Sequence, residues 1–293
     1  MKKIPLSLVI ITHKSNAFLS ECLRSIIKQR SVPNEIIVID NNSPESPLKI
    51  FQKALCDFRF RKKFIENKRN LGFASAANMG CRLTSNKIVL FLNPDLLVKN
   101  DAIGKLFQVY KKHREKDGKK ILAMGGKSIS WKKTTTLKTI AVNPNFSTLL
   151  FEFTSLKKIF PKAKASNSFW DTKAIASKKN IFVSVVSGNF LLVNKKLFVK
   201  LGKFDENFFL YLEDLDFCMR ASGKGYKIMY VPKAIVKHFG GGSSRNKKGK
   251  INQEAWNYSK RYFVKKWFGA KGNLLSKIFD LDDLLIKIKK FTK

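Results

Sequence analysis

Residues 5–11 read PLSLVII, an unbroken apolar run of the length a β-strand uses when both of its faces are covered. Strands of that kind belong to parallel sheets, where crossover helices cover the two faces. Downstream, Phe18, Leu19, Cys22, Leu23, Ile26 and Ile27 recur at helical spacing and stop before Pro33. A second apolar run, EIIVID at 35–40, is followed by a helical pattern from about Pro47 to Phe58 and a short strand at 63–66. A helix over 74–84 and the strand KIVLFL at 87–92 complete the series. Strands alternating with helices predict an α/β fold, a Rossmann-like, mainly parallel sheet flanked by helices, whose first half spans roughly residues 1–125.

Beyond that half the pattern changes. Residues 127–180 are rich in Lys, Thr, Ser and Asn, with aromatic islands at Trp131, Phe146, Phe151, Phe153 and Trp170 and no clear period, which predicts a long excursion over the sheet. Order returns over 181–250 with IFVSVVSGNFLLV, a helix near 195–201, the segment FDENFFLYLEDLDFCMR, a strand at 226–231 and VKHFGGGSS. Residues 1–250 form the expected main domain. From 251 to 293 the chain predicts helix, with Leu281, Leu284, Leu285, Ile288 and Phe291 on one face and Lys287, Lys289, Lys290 and Lys293 elsewhere.

Composition narrows the class. The chain has 293 residues, 44% of them hydrophobic and 12% aromatic, enough to bury a core without disulfide or metal staples. Its 58 basic and 21 acidic residues give a formal charge of +37. Nucleic acid, an anionic membrane surface and phosphorylated substrates are all candidate partners for such a charge. Lys far outnumbers Arg, however, and a compositional Lys bias explains much of the excess. The four Cys are scattered without a C-x-x-C pair, as expected of free thiols in a reducing compartment. The N-terminal Met-Lys-Lys and apolar run imitate a signal peptide but lead into Thr12-His13-Lys14 without a small-residue cleavage site, so the run is read as a buried strand. No apolar stretch reaches the length of a membrane span.

In doubly wound sheets ligands bind beyond the carboxyl ends of the strands, so the residues that follow each strand carry the chemistry. Those are Thr12-His13, Asp40-Asn41-Asn42-Ser43 and Asn93-Pro94-Asp95. Asp95, at a strand exit with Pro94 fixing the turn, suits a hard divalent cation shared with substrate phosphates, although Asn-Pro-Asp is also ordinary turn chemistry. Asp40 suits a nucleoside contact or an Asx turn. NLGFASAANMG (70–80) places Asn70 and Gly72 in a turn and follows it with a helix of little bulk, suited to close contact with a ligand or with the sheet. In YLEDLDFCMR, Glu213, Asp214 and Asp216 crowd a helix N-terminus, where the dipole favours acids, and Asp216 with Arg220 forms an i,i+4 pair. Three carboxylates there would also furnish a general base for a hydroxyl proton. His238 precedes GGGSS at a strand-to-loop exit, as a structural residue or as a contact to metal or phosphate.

Together and in order, SLVIITHKS, VIDNNS, NLGFASAANMG, FLNPD, SGNFLLV, GKFDENFFLYLEDLDFCMR and VKHFGGGSS resemble the family 2 glycosyltransferases of GT-A fold, in particular the bacterial rhamnosyltransferase-like branch, over about residues 5–245. The resemblance implies inverting, Mg²⁺- or Mn²⁺-dependent transfer from a pyrimidine nucleotide-diphosphate sugar (dTDP-rhamnose or a UDP-sugar) to a hydroxyl of a cell-surface or lipid-linked glycan. It implies donor contacts from Thr12, His13, Asp40, Asn70, Gly72, Asn78 and Asn93, and metal contacts from Asp95 and His238. Asp214 would be the base, with Glu213 and Asp216 orienting it or the acceptor. Asn93 replaces the first acid of the family's D-x-D motif, which lowers negative charge at the cation. Two other classes were weighed. A basic nucleic-acid-binding protein finds no recognised binding motif, and a nucleotidyltransferase on a related sheet is opposed by a first loop, THKSN, without Gly. The basic C-terminal helices are expected to meet an anionic membrane surface, making the protein cytoplasmic and peripheral at the inner face of the membrane.

Overall fold

A computed structural model describes residues 2–99, 101–117, 121–132, 135–239 and 252–291, without the side chains of 115–117 and 287–291. The first half runs β1 (Lys2–Thr12), α1 (Asn16–Ile27), β2 (Ser31–Asp40), α2 (Leu48–Ala54), β3 (Arg61–Glu66), α3 (Phe73–Leu83), β4 (Ile88–Leu92), β5 (Leu96–Val98) and α4 (Ala102–Asp117). It continues through β6 (Ile121–Ser130), β7 (Ile140–Ala141), α5 (Phe146–Phe153), α6 (Leu156–Ile159), α7 (Thr172–Ala176), β8 (Ile181–Val183), β9 (Val185–Val186) and β10 (Phe190–Asn194). Last come α8 (Lys195–Lys200), α9 (Glu213–Gly223), β11 (Lys227–His238) and α10 (Gln253–Phe291).

The main sheet has the order β3-β2-β1-β4-β10-β6-β11-β5, with β8 also pairing β11. β1, β2, β3 and β4 are parallel neighbours, and β11 runs parallel to β6. β10 lies antiparallel between β4 and β6. Two apolar clusters cover the faces. One holds Leu6, Leu8 and Ile10 of β1 against α1 and α4, and the other holds Val9 against α3, α9 and α10. The alternation along β1 is that of a strand buried on both sides, as its unbroken apolar run requires.

Topology brings the strand-end residues together. β1 sits between β2 and β4 where the chain order reverses, so Thr12, Asp40 and the Asn93-Pro94-Asp95 turn share one edge. Antiparallel β10 delivers its entry, Ser187-Gly188-Asn189, to that same edge, and the Asn93 N–H donates to the Asn189 carbonyl at 2.9 Å.

Residues 127–180, where no period was expected, are nonetheless folded. β6 extends to Ser130, and α5 begins with Asn145, whose side chain accepts from the Thr148 N–H in a capping box. These helices are too short to display a period and are set by caps and tertiary packing instead. α10 is two helices meeting at Gly269, whose φ of 52° is non-helical. The second half folds back on the first. Lys260 Nζ reaches Asp283 Oδ1 at 3.0 Å, a pair roughly 34 Å apart in a straight helix. Phe263, Val264, Leu275 and Phe279 are buried by this hairpin and by the domain. The GGGSS segment at 240–244, Lys293, and the side chains expected at 287–291 lie outside the described residues. Among the described residues no helix is long and apolar enough to cross a membrane.

Candidate active site

A cleft of about 390 Å³ opens along the carboxyl edge of the sheet, and Asn93, Asp95, Glu213, Asp214 and His238 all line it. His13, Asn70 and Gly72 line an adjoining crevice that shares Ile11, Phe73 and Leu210 with the cleft. The two together make a continuous path past the topological switch point.

The crevice is built on Asn41, a residue the sequence reading passed over. Its amide donates to Asn70 Oδ1 at 2.8 Å and to the Gly72 carbonyl at 3.0 Å, and its own oxygen accepts from Asn67 and from the Leu71 N–H. Gly72 is obligatory: φ is +80°, and a Cβ there would stand 2.4 Å from the Phe209 carbonyl oxygen. Thr12 Oγ1 and His13 Nδ1 are buried without a hydrogen-bond partner among the described residues; His13 lines the crevice, whereas Thr12 is 0% exposed and lies behind its wall. Burial, with Lys14 beside it, holds His13 below the ordinary imidazole value. Asp40 takes the Asx-turn alternative. Its carboxylate accepts from the Ser43 N–H and, at 2.6 Å, from the Ser43 hydroxyl.

At the other end, strand register pairs His238 with Leu96, which sets His238 Nε2 3.3 Å from Asp95 Oδ2. Asp95 is 1% exposed. No group of three or more His, Cys, Asp or Glu side chains converges among the described residues. One carboxylate and one imidazole, with the Asn93 amide in the same wall, fit a divalent cation whose remaining ligands are substrate phosphates.

Asp214 occupies the first turn of α9. Its Oδ2 accepts from the Gly188 N–H at 2.7 Å and its Oδ1 from the Leu215 N–H at 2.8 Å, so the carboxylate is pinned between the β10 entry and its own helix. Burial raises its proton affinity above that of an ordinary Asp. Glu213, beside it, is pushed up to about 8 by burial and by the Asp214 charge, and its Oε2 has no partner among the described residues. The turn that delivers both acids is strained. Tyr211 and Leu212 have φ of 73° and 67°, a conformation costing about 1–3 kcal/mol per residue. α10 clasps this turn, with Ser259 Oγ donating to the Leu210 carbonyl at 2.7 Å.

Four expected site residues line neither the cleft nor the crevice: Thr12 and Asp40, at the ends of their strands, and Asn78 and Asp216. Asn78 is buried and joins α3 to the segment before α9, donating to the Phe204 carbonyl and to Glu206 and accepting from the Phe204 N–H. Asp216 is 0% exposed, with Oδ2 on Arg220 Nε at 2.8 Å and Oδ1 on Trp267 Nε1 at 3.0 Å and on Lys266 Nζ at 2.6 Å. It anchors α9 to α10. The cleft is also lined by Glu152, Phe153, Phe169, Trp170 and Trp256, from the excursion at 127–180 and from α10, none of them singled out as a site residue by the sequence. The aromatic islands were visible there, but their convergence depends on chain reversals far apart in sequence.

Comparison with known proteins agrees with this geometry. The hexosyltransferase Agl10 of low-salt glycan biosynthesis in Haloferax volcanii is 24% identical over 229 residues, covering 76% of this chain and 63% of the relative. The rhamnosyltransferase WbbL of Escherichia coli is 24% identical over 246 residues, covering 79% of this chain and 82% of the relative. The crystal structure of GalNAc-T7 with UDP, GalNAc and Mn²⁺ superposes with a TM-score of 0.58 at 16% identity, over 80% of this chain and 43% of that one. That likeness shows a shared GT-A-type fold. The model of glycosyl transferase family 2 matches residues 7–201, and the chain belongs to that family.

Proposed function

We propose that the protein is an inverting glycosyltransferase that moves a sugar from a pyrimidine nucleotide-diphosphate donor, dTDP-rhamnose or a UDP-sugar, to a hydroxyl of a cell-surface or lipid-linked glycan. The observation that carries the reading is Asp214. It is a carboxylate of raised proton affinity, fixed by two backbone N–H groups on the wall of a cleft whose other end holds Asp95 and His238. Rhamnose as the transferred sugar takes its support from the name of the Escherichia coli relative.

His13, Asn70 and Gly72 line the crevice for the donor's nucleoside, with Thr12 beneath it at the end of β1 and Asp40 shaping the neighbouring turn. Asp95 and His238 would hold the cation, with Asn93 beside them. When bound, Mg²⁺ or Mn²⁺ supplies neutralisation of the charge gathering on the departing diphosphate. Asp214 accepts the proton of the acceptor hydroxyl as its oxygen bonds to the anomeric carbon. The bond from that carbon to the phosphate oxygen breaks in the same step, its electron pair leaving on the nucleoside diphosphate. Attack from the face opposite the leaving group inverts the configuration. General-base catalysis of this kind is worth about 10²–10⁴-fold. Asp214→Asn is therefore expected to lose transfer by that factor while keeping the thermal shift given by donor and Mn²⁺. Near wild-type turnover in this variant would remove Asp214 as the base.

We also propose that the protein sits on the inner face of an anionic membrane through the second half of α10. Leu274, Leu281, Leu284 and Leu285 are 49–57% exposed there while Leu275 and Phe279 are buried, and Lys is plentiful around them. Replacing Leu281, Leu284 and Leu285 together with Ser leaves the packed face intact. The triple variant is expected to lose flotation with anionic vesicles, and equal flotation of variant and wild type would sink the membrane reading.

A further inference from the structure

The cleft that holds Asp214 is also a chamber lined by the rings of Phe153, Phe169, Trp170, Tyr211 and Trp256. Phe153 from α5 meets Trp256 from α10 at 5.1 Å and 80°, Tyr211 meets the same Trp256 at 5.8 Å and 77°, and Phe169 meets Trp170 at 4.9 Å and 83°. These rings pack edge to face rather than stacking on one another. Trp170 is fixed in its wall by the hydrogen bond from Nε1 to Glu152 Oε1 at 2.9 Å. On the remaining side stands Glu213, 7% exposed, with Oε2 lacking any partner among the described residues. We propose that this chamber is the acceptor subsite and that it takes an uncharged sugar, its C–H face against the aromatic walls and a hydroxyl on Glu213, and rejects uronic and other anionic sugars. The proposal rests on the reading of Asp214 as the base that faces the acceptor.

Three observations select a neutral occupant. Glu152, Glu213 and Asp214 line the cleft with Lys138; Glu152 is paired with Lys157 and Glu213 is protonated, so this lining offers an anion no excess of positive charge, in a chain that carries +37 overall. Burial already keeps Glu213 protonated up to about 8, so a further carboxylate brought alongside would meet the same desolvation and repulsion. Aromatic faces are electron-rich and attract the polarised C–H bonds of a pyranose, whereas they repel an anion. The volume, about 390 Å³ for the whole cleft, lies within the ~300–1,000 Å³ of small-molecule sites. Trp256 also gives α10 a part in substrate recognition, since it is the residue that α10 contributes to the lining.

The test uses the full-length protein saturated with UDP and Mn²⁺, followed by tryptophan fluorescence. Methyl glycosides of glucose, galactose, rhamnose and N-acetylglucosamine are titrated beside those of glucuronic and galacturonic acid. At least one neutral glycoside is expected to change the emission saturably below ~50 mM and to bind about tenfold more tightly than either uronate. Trp170→Ala should weaken that binding about fivefold, with Trp170→Phe restoring part of it. A uronate that binds as tightly as the neutral sugars overturns the proposal. So does the absence of binding by every neutral glycoside, or unchanged affinity in Trp170→Ala. The thermal shift produced by UDP and Mn²⁺ is recorded on the same samples. If it is present while the acceptor tests fail, the chamber assignment alone falls; if dTDP and UDP with Mn²⁺ both give no shift, the pyrimidine-donor reading falls instead.

Discussion

Glu213 has little room for its charge once the chain is folded. Burial and the neighbouring Asp214 raise it from an ordinary 4.5 to about 8, so the native state keeps a proton that the unfolded chain releases. This contribution to stability is fully present below the unfolded value and is lost as pH rises through about 8. Wild-type urea midpoints should therefore fall more steeply between pH 5 and 8.5 than those of Glu213→Gln, which cannot ionise. Parallel slopes would mean that Glu213 titrates as freely in the native state as in the unfolded chain. At this scale the sequence announced the residues that end strands, because strand ends at the switch point must meet. Asp95 and His238 met as expected, 3.3 Å apart. Asn78 and Asp216 carried the same polar signature, yet their side chains are consumed by Phe204, Glu206, Arg220, Lys266 and Trp267. Those partners are distant in sequence for Asn78, and for Asp216 two of the three arrive with α10, so local reading could not separate an anchor from a site residue.

Between elements, the join of α9 to α10 governs where the base stands. Asp216 is fully buried and shared by Arg220, Lys266 and Trp267, so its removal leaves the Arg220 Nε and the Trp267 indole N–H without this partner and Lys266 with Asp205 alone. Breaking such a group from one side costs about 3–5 kcal/mol. Asp216→Ala is expected to lose that much by chemical denaturation, and a loss below about 1 kcal/mol would show the cluster to be solvent-relaxed. Its companion Asp205 extends the same join. Burial would raise it, but hydrogen bonds from Lys266, Tyr262 and Asn207 bring it down to about 2. α1 and α3, of 12 and 11 residues, were legible because each shows a helical period, and the strands up to β4 because their apolar runs are nearly continuous. α5 and α7, of 8 and 5 residues, are set by their side-chain caps, and α6, of 4, is too short to show a period. The reversal at Gly269 was equally silent, since one glycine within a helical pattern is a weak signal.

For the whole molecule, the charge of +37 is not concentrated in the aromatic chamber, and the net figure alone pointed at every polyanion equally. The C-terminal segment is part of the domain rather than an appendage to it. Trp256 lines the cleft, Ser259 holds the strained turn, and Phe263 and Val264 join the main core. Ending the chain at Gly269 removes Leu275 and Phe279, each worth about 1.5–3 kcal/mol when buried, together with the carboxylates of Lys260 and Arg261. A melting temperature lowered by several degrees is the expected result, and an unchanged melt would show the second half of α10 to be dispensable for stability.

The antiparallel strand β10 has a consequence for the order in which the protein can be made. It lies between β4 and β6 although it follows both in the chain, so neither strand gains this neighbour until residues 190–194 have left the ribosome. During that interval the nascent chain presents two apolar strands with open edges, which are templates for pairing with another chain. The central sheet therefore closes late in synthesis. Slowing translation between Ser130 and Phe190 would lengthen the aggregation-prone period without altering a single native contact.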